Sequence, residues 1–430
     1  IAVAYAEGDY YASFIPAGYA AERDSKIYAS VQTAIDATDA APVVLLANSD
    51  EDVTISNAVT IKGSNLHLHS MTVTNSGDLT LDGPLNVNAL YLHSSMGNSS
   101  QVHNANLLTT NHTYFDLTLE PYQSKAVPRK WYAFSVPFHV DISTGVRKAT
   151  APTMRLTNQA DYLIWEYDGM LRATTKDNGW TPMDHGTLSP GHFYMLGIAS
   201  TDNVWRFIST DDVLGGNATL PVYEFPSNTP NRGWNALANS QSVYSSVSID
   251  GIHYAQVYDN ASPNGKYIVV PLSSSSFAMA CPFFIQAKTD DILSLTENTF
   301  GTIYAPQHGY NTDEYFCEVQ LLQNGTRLDN VYLTAHTDAS YTYELGKDVI
   351  KLMGESDESY IWANGYGYRL CAQDLPMEDN VSYSLTLFAA QSGTYTLSAT
   401  MGYLYYYGTL LADLSGLKAR VVRRSISSYF

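Results

Sequence analysis

Val53-Thr-Ile55, Val59-Thr-Ile61, Leu66-His-Leu68, Met71-Thr-Val73, Leu79-Thr-Leu81, Leu85-Asn-Val87 and Leu90-Tyr-Leu92 form an unbroken series of apolar-x-apolar triplets. Compared with the triplet three places later, the steps are 18 residues for 53 to 71, 20 for 59 to 79, 19 for 66 to 85 and 19 for 71 to 90. A period near 19 with three short strands in it is what a parallel β-helix requires. The outer residues of each triplet then point inward and the middle one outward, with Asn-, Ser-, Gly- and Asp-rich turns between faces. A meander of hairpins would share the alternation without the three-fold grouping. The expected fold class is all-β: a short parallel β-helix with an N-terminal capping helix, followed by antiparallel β-sandwich domains.

Working outward, residues 27–37 place Ile27, Val31, Ala34 and Ile35 at helical spacing behind a capping Ser25. A solenoid has open ends, so this helix has the task of covering the first coil. The segment Tyr114 to Pro121 closes the coil, and a linker follows over 122–129. Short aromatic strands separated by Gly, Pro, Asn and Asp predict a first sandwich module over 130–300 and a second β-sandwich over 311–402. Residues 1–26 form an N-terminal extension in which Ala4-Tyr5-Ala6 fits a signal-cleavage pattern. Residues 403–430 form a tail with a basic cluster from Lys418 to Arg424, read as a truncated or altered end with no binding role.

The composition narrows the partners. With 23 Lys+Arg against 42 Asp+Glu, the net charge of −19 argues against a nucleic-acid partner, which needs clustered cations. Only 15% of residues are charged, and 33 tyrosines together with Ser, Thr and Asn take their place, so the surface is rich in hydroxyls and amides. No run of 18 apolar residues exists, so no membrane-spanning helix is expected. Cys281, Cys317 and Cys371 are too widely spaced for a zinc knuckle and read as buried thiols, although one disulfide among them stays open.

Val31-Gln-Thr-Ala-Ile-Asp-Ala37, Val43-Val-Leu-Leu-Ala-Asn48 and Val53-Thr-Ile55 resemble the β-helical head of many bacterial surface proteins. The motifs at 131–140, 166–169, 188–194 and 233–239, and Gly393-Thr-Tyr-Thr-Leu397, extend the likeness. Together they resemble a largely uncharacterised family of Bacteroidetes-type secreted and cell-surface multidomain proteins. The resemblance implies export to the cell surface and a role in adhesion. Ala238-Asn-Ser-Gln241 departs from the family's Gly-Asn-Pro-Tyr at that place, so the local turn is expected to differ.

Candidate chemistry is sparse. A lyase on such a coil needs several carboxylates for Ca²⁺ and a basic residue, yet residues 53–95 hold only Asp78, Asp82 and Lys62 of these types. Glu166 with Asp168, or Asp184, would supply a glycosidase pair, and His185 and His192 a metal site or triad, but turn and surface duty accounts for them more simply. Asp211-Asp212 and Asp290-Asp291 would suit Ca²⁺, the one cofactor considered. No residue is assigned a catalytic or metal-binding role. The aromatic excess favours ligand contact, with Trp180, Trp205 and Tyr194 as candidate ligand-binding residues, whereas Trp131 and Trp234 read as core. The function expected is a non-catalytic exported surface protein that binds a glycan or a host or bacterial surface protein. A carbohydrate-active enzyme and a stalk without a ligand are the alternatives.

Overall fold

A computed structural model describes residues 18–298 and 314–401, except 96–97, 120–128, 176–177, 199–203, 228–230, 263–264, 299–300, 355–357, 378–380, 382 and 391–392. It also describes the backbone strands Ala2–Ala6, Asp9–Ser13, Tyr405–Tyr406 and Thr409–Leu410. The linker at 122–128 and the basic cluster from Lys418 to Arg424 lie outside the described residues.

The expected solenoid is present. Ser49–Ile55, His67–Val73, Leu85–Ser95 and Leu108–Thr118 stack in parallel as one sheet. Val43–Leu45, Ala58–Lys62, Asp78–Leu81 and Gln101–His103 stack in parallel as a second. The register repeats the sequence period, with Val53 beside Met71, Met71 beside Leu90 and Val59 beside Leu79. Leu85–Ser95 carries two of the triplets. Its alternation slips at Asn88 and Ala89, which are both half-buried, and this slip turns the corner between two sides of the coil. The inward ladder of Val53, Met71 and Leu90, with Val59, Leu79 and Val102 opposite, is at most 6% exposed. At about 1.5–3 kcal/mol per buried aliphatic side chain, this ladder is the main cohesive term of the coil.

The polar turns keep the same period. His67 N donates to Asn48 Oδ1, Ser76 Oγ to Ser56 O, Asn86 Nδ2 to Asn65 O and Asn104 Nδ2 to Leu81 O, each joining successive coils. The coils approach so closely that a Cβ on Gly77 would stand 2.3 Å from Ile55 O.

The first coil is capped differently from the expectation. The helix is Val31–Asp36, not 27–37, and Ile27 lies 44% exposed in the strand Lys26–Tyr28. That strand forms a hairpin with Ala21–Arg23 through Asp24 and Ser25, both at positive φ, so Ser25 makes a turn and Ser30 caps the helix. Six residues are too few for an independent helix, and tertiary contacts hold this one. At its start Glu51 accepts from Ser30 Oγ, Val31 N and Gln32 N. At its end the buried Arg23 donates to Ala34 O, Ile35 O, Ala37 O and Ala41 O. The Gln32 amide pairs with both Thr54 N and Thr54 O and so covers the backbone of an edge strand.

At the far end the solenoid sheet takes in strands from beyond residue 130. Val204–Ile208 adds antiparallel to Leu108–Thr118, and Val146–Lys148 adds antiparallel to Val204–Ile208, so both extend the solenoid sheet. Beneath them Phe207 stacks on Phe134 at 5.2 Å and meets Phe115 at 6.3 Å, and Trp205 packs edge-on to Tyr162 at 5.9 Å. One continuous hydrophobic core therefore runs from the coil into the following module.

Beyond it lie three four-stranded sheets. One orders Lys130–Phe134, Tyr194–Ile198, Tyr162–Tyr167 and Trp180–Pro182. A second orders Trp234–Ala238, Pro282–Gln286, Tyr254–Asp259 and Lys266–Pro271, and a third Thr219–Val222, Asp291–Glu297, Ser245–Ser248 and Ser276–Phe277. The region 314–401 forms a single mixed sheet, in which Thr326–His336 runs parallel to Tyr368–Pro376. It packs on the preceding module through Tyr254 and Tyr332, stacked at 5.4 Å, and through the buried Gln256 amide, bonded to Ile350 O and Leu352 N. The three cysteines are free, with Cys317 and Cys371 buried.

Two ionic contacts yield tests. Lys351 and Asp329, both 0% exposed, pair at 2.8 Å, and Asp329 also accepts from Ile361 N. Asp329→Asn leaves the ammonium buried without its countercharge, and chemical unfolding should show a loss of about 3–5 kcal/mol.

The second contact joins solenoid and module. Val102 N donates to Ser242 O, Ser242 Oγ donates to Val102 O, and His103 lies between Asp78 at 2.8 Å and Glu297. The hydrogen bond to Asp78, reinforced by Glu297, raises the His103 pKa above its ordinary 6.5 despite burial. A raised value means that the stabilisation is complete below pH 6.5 and fades as pH climbs through the folded-state value. The melting temperature of the native chain should fall over that window more steeply than that of His103→Gln, and equal slopes would contradict the contact.

Candidate functional site

The sequence candidates do not converge. Trp205 is 0% exposed in the core at the end of the coil, and Tyr194 is 3% exposed, accepting from Ser189 N while burial pushes its hydroxyl up to about 12. A ring without an accessible face cannot stack on a sugar unless the core opens, so both are core residues. Trp180 is half-buried, edge-on to Tyr167 at 5.3 Å and to Phe193 at 5.4 Å. Trp234 is buried as its position suggests, and Trp131 is half-buried against Trp165.

The ionisable candidates serve turns and caps. Asp168 accepts from Leu171 N at the start of a short helix, Asp212 from Thr113 N, Asp290 from Glu224 N and Asp291 from Ile292 N. Asp184 accepts from Gln159 Nε2, and Glu166, His185 and His192 are exposed. Among the described residues, no three His, Cys, Asp or Glu side chains group as metal ligands would.

One buried carboxylate has an unusual acidity. Burial pushes Asp348 up to about 7, with Asp374 contributing to the rise. Asp348 accepts from Glu344 N and Asp374 N, and Asp374 accepts from His336 Nδ1 at 2.7 Å. At 1% and 3% exposure the two carboxylates fasten a loop to the Tyr368–Pro376 strand and offer no face to a substrate.

A different set of residues meets on the outer face of the solenoid, where parallel register brings the middle residues of successive coils into rows. Thr54, Thr72, Tyr91 and Tyr114 form one row, and His93, Asp116 and Arg206 form the next. Tyr91 and Tyr114 stack at 4.8 Å with their planes 14° apart. The Arg206 guanidinium stands 5.0 Å and 5.3 Å from their centroids and holds Asp116 in a two-bonded pair at 2.7 and 2.6 Å. His112 lies beside Tyr114, and the Asn111 amide donates to Asn88. Tyr91, Tyr114, His93 and Arg206 are half-buried, whereas Thr54, Asn111 and His112 are exposed.

The charges in the central row compensate. Hydrogen bonding to Asp116 raises the Arg206 pKa, and burial, aided by Arg206, holds His93 below its ordinary value against the pull of Asp116. Burial also raises the Tyr114 hydroxyl, which stays protonated. The result is a face of two aromatic rings, neutral imidazole and hydroxyl and amide groups around one satisfied ion pair. That chemistry suits a hydroxyl-rich neutral ligand. The outward place of Tyr91 follows from its triplet; its meeting with Tyr114 and Arg206 depends on a longer last coil and on the antiparallel strand Val204–Ile208.

Replacing Arg206 tests the compensation. In Arg206→Gln the His93 imidazole should titrate at higher pH by NMR, because only burial then opposes the pull of Asp116. The 7%-exposed Asp116 side chain also loses its charge-assisted bonds to the partly exposed Arg206, so stability should drop by about 1.5–3 kcal/mol. An unmoved His93 would contradict the arrangement. No protein-family model, no curated protein and no solved structure matches the chain.

Proposed function

We propose that this chain is a non-catalytic bacterial surface protein, exported from the cell, that binds neutral glycans through the outer face of its solenoid. The observation that carries this reading is the stacked Tyr91–Tyr114 pair with Arg206 beside it. Rings of this kind present apolar faces and edges to the C–H groups of a sugar, while the surrounding Thr, Asn and His side chains exchange hydrogen bonds with its hydroxyls. The likeness of the head and sandwich motifs to exported Bacteroidetes-type surface proteins supports the location. The two-bonded pairing of Arg206 with Asp116 leaves rings, hydroxyls and amides as the main contacts of this face, which supports a neutral ligand.

Glycan-array binding with the whole chain, run beside a hydrolysis screen on the same polysaccharides, tests this. Binding to neutral glycans is expected without product release. The paired variant Tyr91→Ala, Tyr114→Ala should weaken it about tenfold or more, as loss of two aromatic contacts implies. Released product, or binding undiminished in the paired variant, would overturn the reading.

A further inference from the structure

The C-terminal sheet encloses the two components of an amide bond. Lys351 Nζ lies 2.8 Å from Asp329 Oδ1, and both side chains are 0% exposed. They come from different parts of the sheet: Asp329 belongs to the strand Thr326–His336, and Lys351 directly follows Val349–Ile350. The Tyr360 ring stands 5.8 Å from Nζ, and Ile361 N donates to Asp329 Oδ2 at 2.7 Å. Tyr360 and Ile361 are themselves buried, so the pair is shut away from solvent.

As an ion pair the arrangement is incompletely satisfied. An ammonium carries three donors, and among the described residues one oxygen and one ring face it. Two buried charges also keep a desolvation cost after they pair. Burial raises the Asp329 carboxyl above its ordinary range against the pull of Lys351, which favours a proton on the acid. A neutral amine beside a neutral acid is the reactant pair of an amide, and the amide carries no charge to desolvate and has one N–H to satisfy.

The surroundings favour the condensation. Packing holds nitrogen and carboxyl in contact, which replaces a bimolecular encounter by an intramolecular one. The Ile361 N–H points at Oδ2, the oxygen that stays, and stabilises the charge that gathers there when Cγ is attacked. Enclosure then withholds the water that would hydrolyse the product.

We propose that Lys351 and Asp329 condense within the folded chain to an isopeptide cross-link. The ammonium passes one proton to Oδ1, and the freed Nζ lone pair attacks Cγ and forms the C–N bond. The Cγ–Oδ1 bond breaks, and Oδ1 leaves as water with that proton and a second one from the nitrogen. The nitrogen keeps one hydrogen, and nothing is oxidised or reduced. The link fastens the strand Thr326–His336 to the chain leaving Val349–Ile350, and it stands independently of glycan binding at the solenoid.

The test is the intact mass of the whole chain, purified in its folded state and then denatured, followed by tryptic digestion and tandem mass spectrometry. The main species should be one water lighter than its sequence. Trypsin does not cut after an acylated lysine, so residues 328–347 should emerge joined through an amide to residues 348–369, uncut at Lys351. Lys351→Arg, which keeps a cation beside Asp329 but supplies no amine to acylate, should show its full sequence mass, and so should Asp329→Ala. A native chain of full sequence mass would overturn the proposal. So would a missing water that persists in Lys351→Arg or maps to a succinimide at Asp82, Asp168 or Asp250, each of which precedes a glycine.

Discussion

A stacked coil of parallel strands satisfies its backbone in the middle and leaves it open at both ends, and covering those ends is the constraint on which this structure depends. The inward aliphatic ladder holds each coil to the next, but it stabilises nothing if a terminal coil frays into water. At the first coil a hairpin and a one-and-a-half-turn helix do the covering. Arg23 and Glu51 satisfy the two ends of the helix, and the Gln32 amide stands in for a neighbouring strand. At the last coil the cover comes from nearly ninety residues further along the chain, as the antiparallel strand Val204–Ile208. Its inward Trp205 and Phe207 continue the coil's core into that of the next module.

The same covering strand creates the outer site. Alternation places Trp205 and Phe207 inside, so Arg206 must stand outside, where antiparallel register sets it opposite Asp116. In-register parallel stacking then sets Tyr91 against Tyr114. A structural requirement thus assembles an aromatic and charge-compensated face from three strands. The buried carboxylates of the C-terminal sheet differ in kind: Asp348 and Asp329 accept from backbone N–H groups, Asp329 also from the buried Lys351, and Asp374 from His336, and all three serve architecture.

Much of the coil was legible because its signal is local: a fixed step between triplets needs no knowledge of distant chain. The capping helix was misplaced at its start because Ile27 falls at helical spacing from Val31, while the competing signal, a two-residue turn at Asp24-Ser25, is weak without glycine. Alternation in Val204-Trp-Arg-Phe207 says which residues share a face but not which face another element covers, so it leaves Trp205 open to a ligand where the structure buries it. Trp180 lies edge-on to Tyr167, Phe193 and Phe284, contacts made by packing between sheets that local spacing does not encode. The Tyr91, Tyr114 and Arg206 grouping likewise depends on register across strands far apart in sequence, which composition and spacing do not encode.

Native-state hydrogen exchange tests most directly the claim that coil and module share one core through Val204–Ile208. The amides of 71–73, 90–92, 113–117 and 204–208 should open with one common free energy, and all should lose protection together in Phe207→Ala. Coil amides that keep full protection while 204–208 exchanges freely would show two independent units and contradict the account.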